Sequence, residues 1–125
     1  MAGVGYHDVM RTDIDADQAL TRLDPSERRW VEEFRDRARA LLGDRLRDLR
    51  IFGSKTRGDA HEESDLDLLV LVQDLDHPTR IAVVDLASSI SAVLSPVIAD
   101  YERYHAPMNR ATGFYQEMRK ESVRL

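Results

Sequence analysis

Residues 51–72 read Ile-Phe-Gly-Ser-Lys-Thr-Arg-Gly-Asp-Ala-His-Glu-Glu-Ser-Asp-Leu-Asp-Leu-Leu-Val-Leu-Val, and this stretch restricts the fold more than any other part of the chain. The apolar run from Leu68 to Val72 has strand length and no helical alternation, so it reads as a largely buried strand. Side chains alternate along a strand, so Asp65 and Asp67 point the same way, about 7 Å apart. Two carboxylates so placed repel each other, and a divalent cation relieves that repulsion. Hard oxygen ligands select Mg²⁺ or Mn²⁺, and Mg²⁺ usually takes one or two carboxylates together with substrate phosphates. Upstream, Gly53 lets the backbone approach a phosphate closely, and the Ser54 hydroxyl adds a donor. Lys55 and Arg57 bring positive charge to the same loop. If residues 55–58 open a helical turn, its free N–H groups face the anion as well.

Two other patterns in this loop carry no weight. Gly53 and Gly58 have the spacing of a P-loop, but Asp59 stands where that motif needs lysine. Arg57-Gly58-Asp59 spells an adhesion tripeptide in a chain without an export signal.

The rest of the chain supplies one modest core. It has 125 residues, 42% of them hydrophobic and 33% charged, which suits a single domain. We expect a partly ordered extension over residues 1–23 and one domain over 24–125. The absence of cysteine excludes disulfides, zinc–thiolate sites and thiol nucleophiles. No apolar run approaches the roughly 20 residues of a membrane span. Residues 1–17 lack the basic and apolar blocks of a secretory signal, so cytoplasmic residence is the default. The net charge of −5, without a dense basic run, argues against a long nucleic acid as substrate. Arginines 28, 29, 35, 37, 39, 45, 47 and 50 alternate with acids and read as a salt-bridged helix surface.

Asp24-Pro25-Ser26-Glu27 marks a helix start: an acidic N-cap, proline at the first helical position and glutamate three residues after the cap. Trp30, Val31, Phe34, Ala38, Leu41 and Leu42 form its core stripe, and Gly43 stops it. Strands are expected at 47–52 and 65–73. A helix over 79–94 would bury Ile81, Val84, Ala87, Ile90 and Leu94. A short third strand follows Ser95-Pro96 at 97–99, then a helical turn at 101–105. A last helix over 109–121 would use Ala111, Phe114 and Met118. A short helix or turn over 15–23 precedes these elements. The fold class is α/β (α+β), with helices packed on a small mixed sheet. His7, His61, His77 and His105 have no ligand spacing and read as surface residues. Tyr101, Tyr104 and Tyr115 read as packing or surface residues.

The Gly53-Ser54 … Asp65-Leu66-Asp67 pattern resembles the signature of the DNA polymerase beta-like nucleotidyltransferase superfamily, most closely its minimal nucleotidyltransferase branch. The resemblance covers about residues 27–105. It implies that Gly53, Ser54, Lys55, Arg57 and Ser64 hold the triphosphate of ATP. It makes Asp65 and Asp67 the catalytic metal ligands, with two Mg²⁺ ions clamping the attacking and leaving oxygens. It further implies AMP transfer to a protein partner, a small helical toxin of the HEPN type, with this chain as the antitoxin. One departure stands out. Active members carry a third carboxylate at the start of the next strand, where this chain has Ser95 or Pro96. Asp100 lies at that strand's far end and reads as the cap of the following turn. The departure leaves open a module that keeps the fold and regulates a partner by binding.

Overall fold

The computed structural model describes residues 20–52 and 65–125. Gly53, Ser54, Lys55, Arg57 and Ser64 therefore lie outside the described residues, as do His7, His61 and the first nineteen positions of the chain.

Helix α1 spans Pro25–Leu42. The sequence cues at its start are realised as a reciprocal pair: the Glu27 N–H donates to Asp24 Oδ1 at 2.8 Å, and the Asp24 N–H donates to Glu27 Oε1 at 3.1 Å. Gly43 ends the helix with φ at +55°, a left-handed conformation that glycine adopts without steric cost. Val31, Phe34, Ala38 and Leu42 are buried as expected, Trp30 is partly buried, and Leu41 faces solvent. The ion-paired surface is also present, with Arg28–Glu32 at 2.9 Å and Arg37–Glu33 at 3.5 Å. It ends with the helix, however: Arg45 donates to the Gln73 and Asp74 carbonyls, while Arg47 and Arg50 belong to the sheet.

Strands β1 (Leu46–Phe52), β2 (Leu66–Val72), β3 (Leu94–Asp100) and β4 (Val123–Arg124) form one sheet in the order β3-β2-β1-β4. β1 runs antiparallel to both β2 and β4, and β3 runs parallel to β2. β2 is central and buried on both faces, which is why its sequence is a continuous apolar run. Leu66, Leu68, Val70 and Val72 join the main core with α1 and with α2 (His77–Ile90). Leu69 and Leu71 face the other way and pack on Met118, Phe52, Ala99, Tyr101 and Tyr104. This second face is covered by α3 (Tyr101–Tyr104) and α5 (Gly113–Glu121), with α4 (Pro107–Arg110) between them.

Three expectations need correction. Helix α2 stops at Ile90, and Leu94 opens β3 instead of closing the helix. Ser91 takes extended angles and its Oγ accepts from the Val93 N–H at 3.2 Å, which turns the chain early. The inner face of α2 is only in part the expected one: Ala87 is buried and Ile90 packs on the core, but Thr79 and Val83 complete the stripe, whereas Ile81 and Val84 are 46% and 42% exposed. The helix carries apolar residues around most of its girth, so two stripes fit the spacing equally well. The last helix is split, because Thr112 caps a new start by accepting from the Tyr115 N–H at 3.2 Å. Tyr115 and Met118 take the buried positions, and Phe114 is left at 45% exposure.

Candidate active site

The site is built where β1 leaves the sheet and β2 enters it. Phe52, the last residue of β1, pairs with Asp67, so the chain on either side of segment 53–64 meets at one level of the sheet. The Leu66 N–H donates to the Val93 carbonyl at 2.9 Å, and the Leu66 and Leu68 side chains are fully buried in the main core. These anchors fix the backbone on both sides of Asp67 and turn its carboxylate toward the second face, beside Phe52. Asp65 is exposed just ahead of the strand.

Burial first, and the Asp65 carboxylate second, push the Asp67 carboxyl above its ordinary value. Both causes disfavour the charged form. A divalent cation bound by the two carboxylates would reverse both, so the donor set fits a hard cation such as Mg²⁺. The neighbouring strand places Ser95 opposite Asp67 and Pro96 opposite Leu68. A hydroxyl thus stands at the level where a third carboxylate would complete the cluster. Among the described residues, no group of three or more histidine, cysteine, aspartate or glutamate side chains could hold a metal ion.

Asp100 is placed elsewhere. It pairs with Val72 at the opposite end of β3, five residues from Ser95 and thus about 17 Å along the strand. Its carboxylate accepts from the Leu75 N–H at 3.0 Å and the Arg103 N–H at 3.1 Å. Those two hydrogen bonds hold its carboxyl below the ordinary value. Asp100 is the N-cap of α3 and a tie to the turn before α2.

Two features had no sequence signature. Phe114 meets Phe52 edge to face at 6.4 Å, setting an aromatic pair beside Asp67. Along the outer edge of β3 runs a cleft of about 430 Å³, lined among others by Arg80, Ala99, Arg103, Asn109 and Phe114. Arg80 covers part of that edge by donating to the Ile98 carbonyl at 2.8 Å. His105, expected at the surface, is packed instead among Tyr101, Tyr104 and Tyr115, with Nδ1 3.1 Å from the Tyr115 hydroxyl.

A mixed sheet sandwiched by helices, with an Asp-x-Asp pair opening its central strand beside the end of β1, is the arrangement of a nucleotidyltransferase. The family model described as a nucleotidyltransferase domain matches residues 31–117, most of the chain, and the chain belongs to that family. Two proteins of Methanocaldococcus jannaschii are similar to it. "Putative protein adenylyltransferase MJ0141" is 36% identical over 75 residues, covering 54% of this chain and 74% of that protein. "Putative protein adenylyltransferase MJ0604" is 28% identical over 88 residues, covering 67% of this chain and 84% of that protein. Among the described residues, no helix is long and apolar enough to cross a membrane.

Proposed function

We propose that this chain transfers AMP from Mg²⁺-bound ATP to a hydroxyl group on a protein partner. The observation that carries this reading is the Asp65–Asp67 pair at the entry of β2, with the Asp67 carboxyl raised above its ordinary value by burial and by Asp65. In a member of the nucleotidyltransferase family, such a pair is suited to hold the nucleotide's cation. The names of the two archaeal relatives point to adenylyl transfer and to a protein acceptor.

In this reading Asp65 and Asp67 would hold the cation, which when bound would supply positive charge to offset that on the triphosphate. Gly53, Ser54, Lys55, Arg57 and Ser64 bind and orient the phosphates. The acceptor oxygen bonds to the α-phosphorus, the bond from that phosphorus to the bridging oxygen breaks, pyrophosphate leaves, and the hydroxyl proton passes to solvent. The partner is a small helical protein of the HEPN type, and the modification silences it as an antitoxin would.

A second reading rests on the pairing of Ser95, not a carboxylate, with Asp67. In that reading the chain binds the nucleotide and restrains its partner by contact, with little turnover. One assay separates the two. The chain is incubated with α-labelled ATP, Mg²⁺ and a candidate HEPN-type partner. Transfer predicts an AMP mass adduct on the partner and pyrophosphate release, both lost in Asp65→Ala/Asp67→Ala. Inhibition of the partner by that variant, with no adduct from either protein, refutes transfer.

A further inference from the structure

At the end of the second face away from Asp67, Arg47, Arg50, Arg119 and Arg124 line a pocket of about 260 Å³. Asp48 is the one acidic side chain in its lining. Four arginines and one aspartate give a formal charge of +3, on a chain whose net charge is −5. The concentration of cations is therefore local and runs against the charge of the whole.

The backbone is shaped to produce it. Leu46 pairs with Val72 and Asp48 with Leu71, so Arg47 is an extra residue in β1, a β-bulge. In a regular strand Arg47 and Asp48 would point to opposite faces; a bulge re-aims a side chain, and here both line the same pocket. The Arg47 guanidinium lies 5.0 Å over the Tyr101 ring, which orients it without neutralising it. Asp48, with its side chain 7% exposed, accepts from Arg50 at 2.9 Å and from Arg124 at 3.1 Å. Arg50 also donates to Ser122 Oγ at 3.2 Å. Asp48 thus fixes two guanidinium groups in place, while Arg47 and Arg119 form no ion pair among the described residues.

Several pre-oriented guanidinium forks around one pocket suit the several oxygens of a phosphate group. The volume suits one phosphate group with a small substituent, and the rings of Tyr101 and Tyr104 supply an aromatic wall for that substituent. A polyanion is disfavoured by the chain's overall negative charge. We propose that this pocket is a binding site for a phosphate monoester, gripped by Arg47 and Arg119 between the fixed Arg50 and Arg124. Its lining does not include the carboxylate pair: Asp48 pairs with Leu71, four residues along β2 from Asp67, or about 13 Å, and Arg50, the nearer, pairs with Leu69, about 7 Å away along the strand.

Calorimetric titration of the full chain in EDTA tests this, with inorganic phosphate and AMP as separate probes. Wild type and Asp65→Asn/Asp67→Asn should both show saturable binding of one equivalent, weakening as salt is added. Arg47→Gln/Arg119→Gln should bind about ten-fold more weakly or worse, the loss expected from one or more charge-assisted hydrogen bonds. Arg119→Gln alone, on the exposed surface of α5, keeps the test valid should the double variant melt early; it too should bind more weakly. AMP tighter than phosphate identifies a nucleotide as the ligand, through the tyrosine wall; equal affinities identify the phosphate group alone. The proposal is overturned by no saturation up to about 20 mM of either probe, a range that covers even weak anion sites. It is equally overturned by full affinity in the folded arginine variants, or by loss of binding in the aspartate variant.

Discussion

Replacing Asp67 by asparagine should make the metal-free protein more stable, although it removes a side chain central to the proposed reaction. Two residues of extended chain would set the two carboxylates about 7 Å apart. Unit charges at that distance repel by about 0.6 kcal/mol in bulk water and about 2.4 kcal/mol at an effective dielectric of about 20. Asp65 is exposed, and physiological salt screens over about 8 Å, so about 0.5–1 kcal/mol survives. Burial of the Asp67 carboxylate adds to this in the same direction. Asparagine keeps the size and removes the charge. For a domain of this size the gain corresponds to a rise in melting temperature of about 2–5 °C. The pH dependence has a definite sign. The folded carboxyl titrates above its unfolded value, so the native state binds more protons in the window between the two. The penalty is thus absent below the unfolded value, grows as pH rises through the window and is complete above the folded value. The wild-type and Asp67→Asn melting curves, recorded in EDTA, should therefore differ at pH 7 and converge on acidification. Adding Mg²⁺ should stabilise wild type, by about 1.4 kcal/mol at ten times its dissociation constant, and leave the variant unmoved. A variant that melts well below wild type in EDTA at pH 7 would show that the Asp67 charge is structural and refute the reasoning.

Ser95→Asp should set a third carboxylate opposite Asp67; it should lower the metal-free melting temperature, raise Mn²⁺ affinity in a calorimetric titration and raise the rate of pyrophosphate release. Asp100→Ala removes the acceptor for the Leu75 and Arg103 N–H groups and should cost about 1–2 kcal/mol in a urea melt, with Mg-ATP affinity unchanged. Because the folded Asp100 carboxyl titrates below its unfolded value, its contribution is present above the unfolded value and lost as pH falls through the folded one. The Asp100→Ala deficit should therefore shrink in acid. Burial, and next the Arg110 charge, lower the folded affinity of His105 for a proton. Stability should thus fall as pH drops from 7 through the unfolded histidine value, and His105→Gln should flatten that slope in thermal melts followed by circular dichroism.

The parts of this molecule legible in its sequence are those written within one or two turns of chain. The Asp24–Glu27 capping box, the buried stripe of α1 and the two-sided burial of β2 each depend on residues at most a few positions apart. The cap role of Asp100 could be read because an acid before Tyr101-Glu102-Arg103 sits where a helix start needs an acceptor. Helix α2 is harder, since its apolar residues nearly encircle it and only packing against β3 and α1 decides which stripe is inside. The break in the last helix turned on one hydroxyl, that of Thr112, which competes with the helix by bonding backbone on both sides of the break. Strand β4 is two residues long and exists only through its pairing with Arg50 and Ile51.

The carboxylate pair and the arginine pocket differ in legibility for the same reason. The carboxylate pair lies within three residues, and alternation along β2 suffices to place Asp67 on the face opposite Leu66 and Leu68. The arginine pocket draws on β1, α3, α5 and β4, four segments spread between Arg47 and Arg124. Its one local cause, the bulge at Arg47, reverses the alternation from which the face of Arg47 would otherwise be read. In the linear pattern Arg47 continues the charged periodicity of α1, and nothing there separates it from Arg37 or Arg39. What separates it is that β2 has one residue fewer than β1 between paired positions. That mismatch turns Arg47 onto the face where Tyr101, Asp48 and Arg119 are waiting. Deleting Arg47 would restore regular pairing and empty the pocket of its re-aimed cation, whereas Arg47→Gln keeps the bulge and removes only the charge.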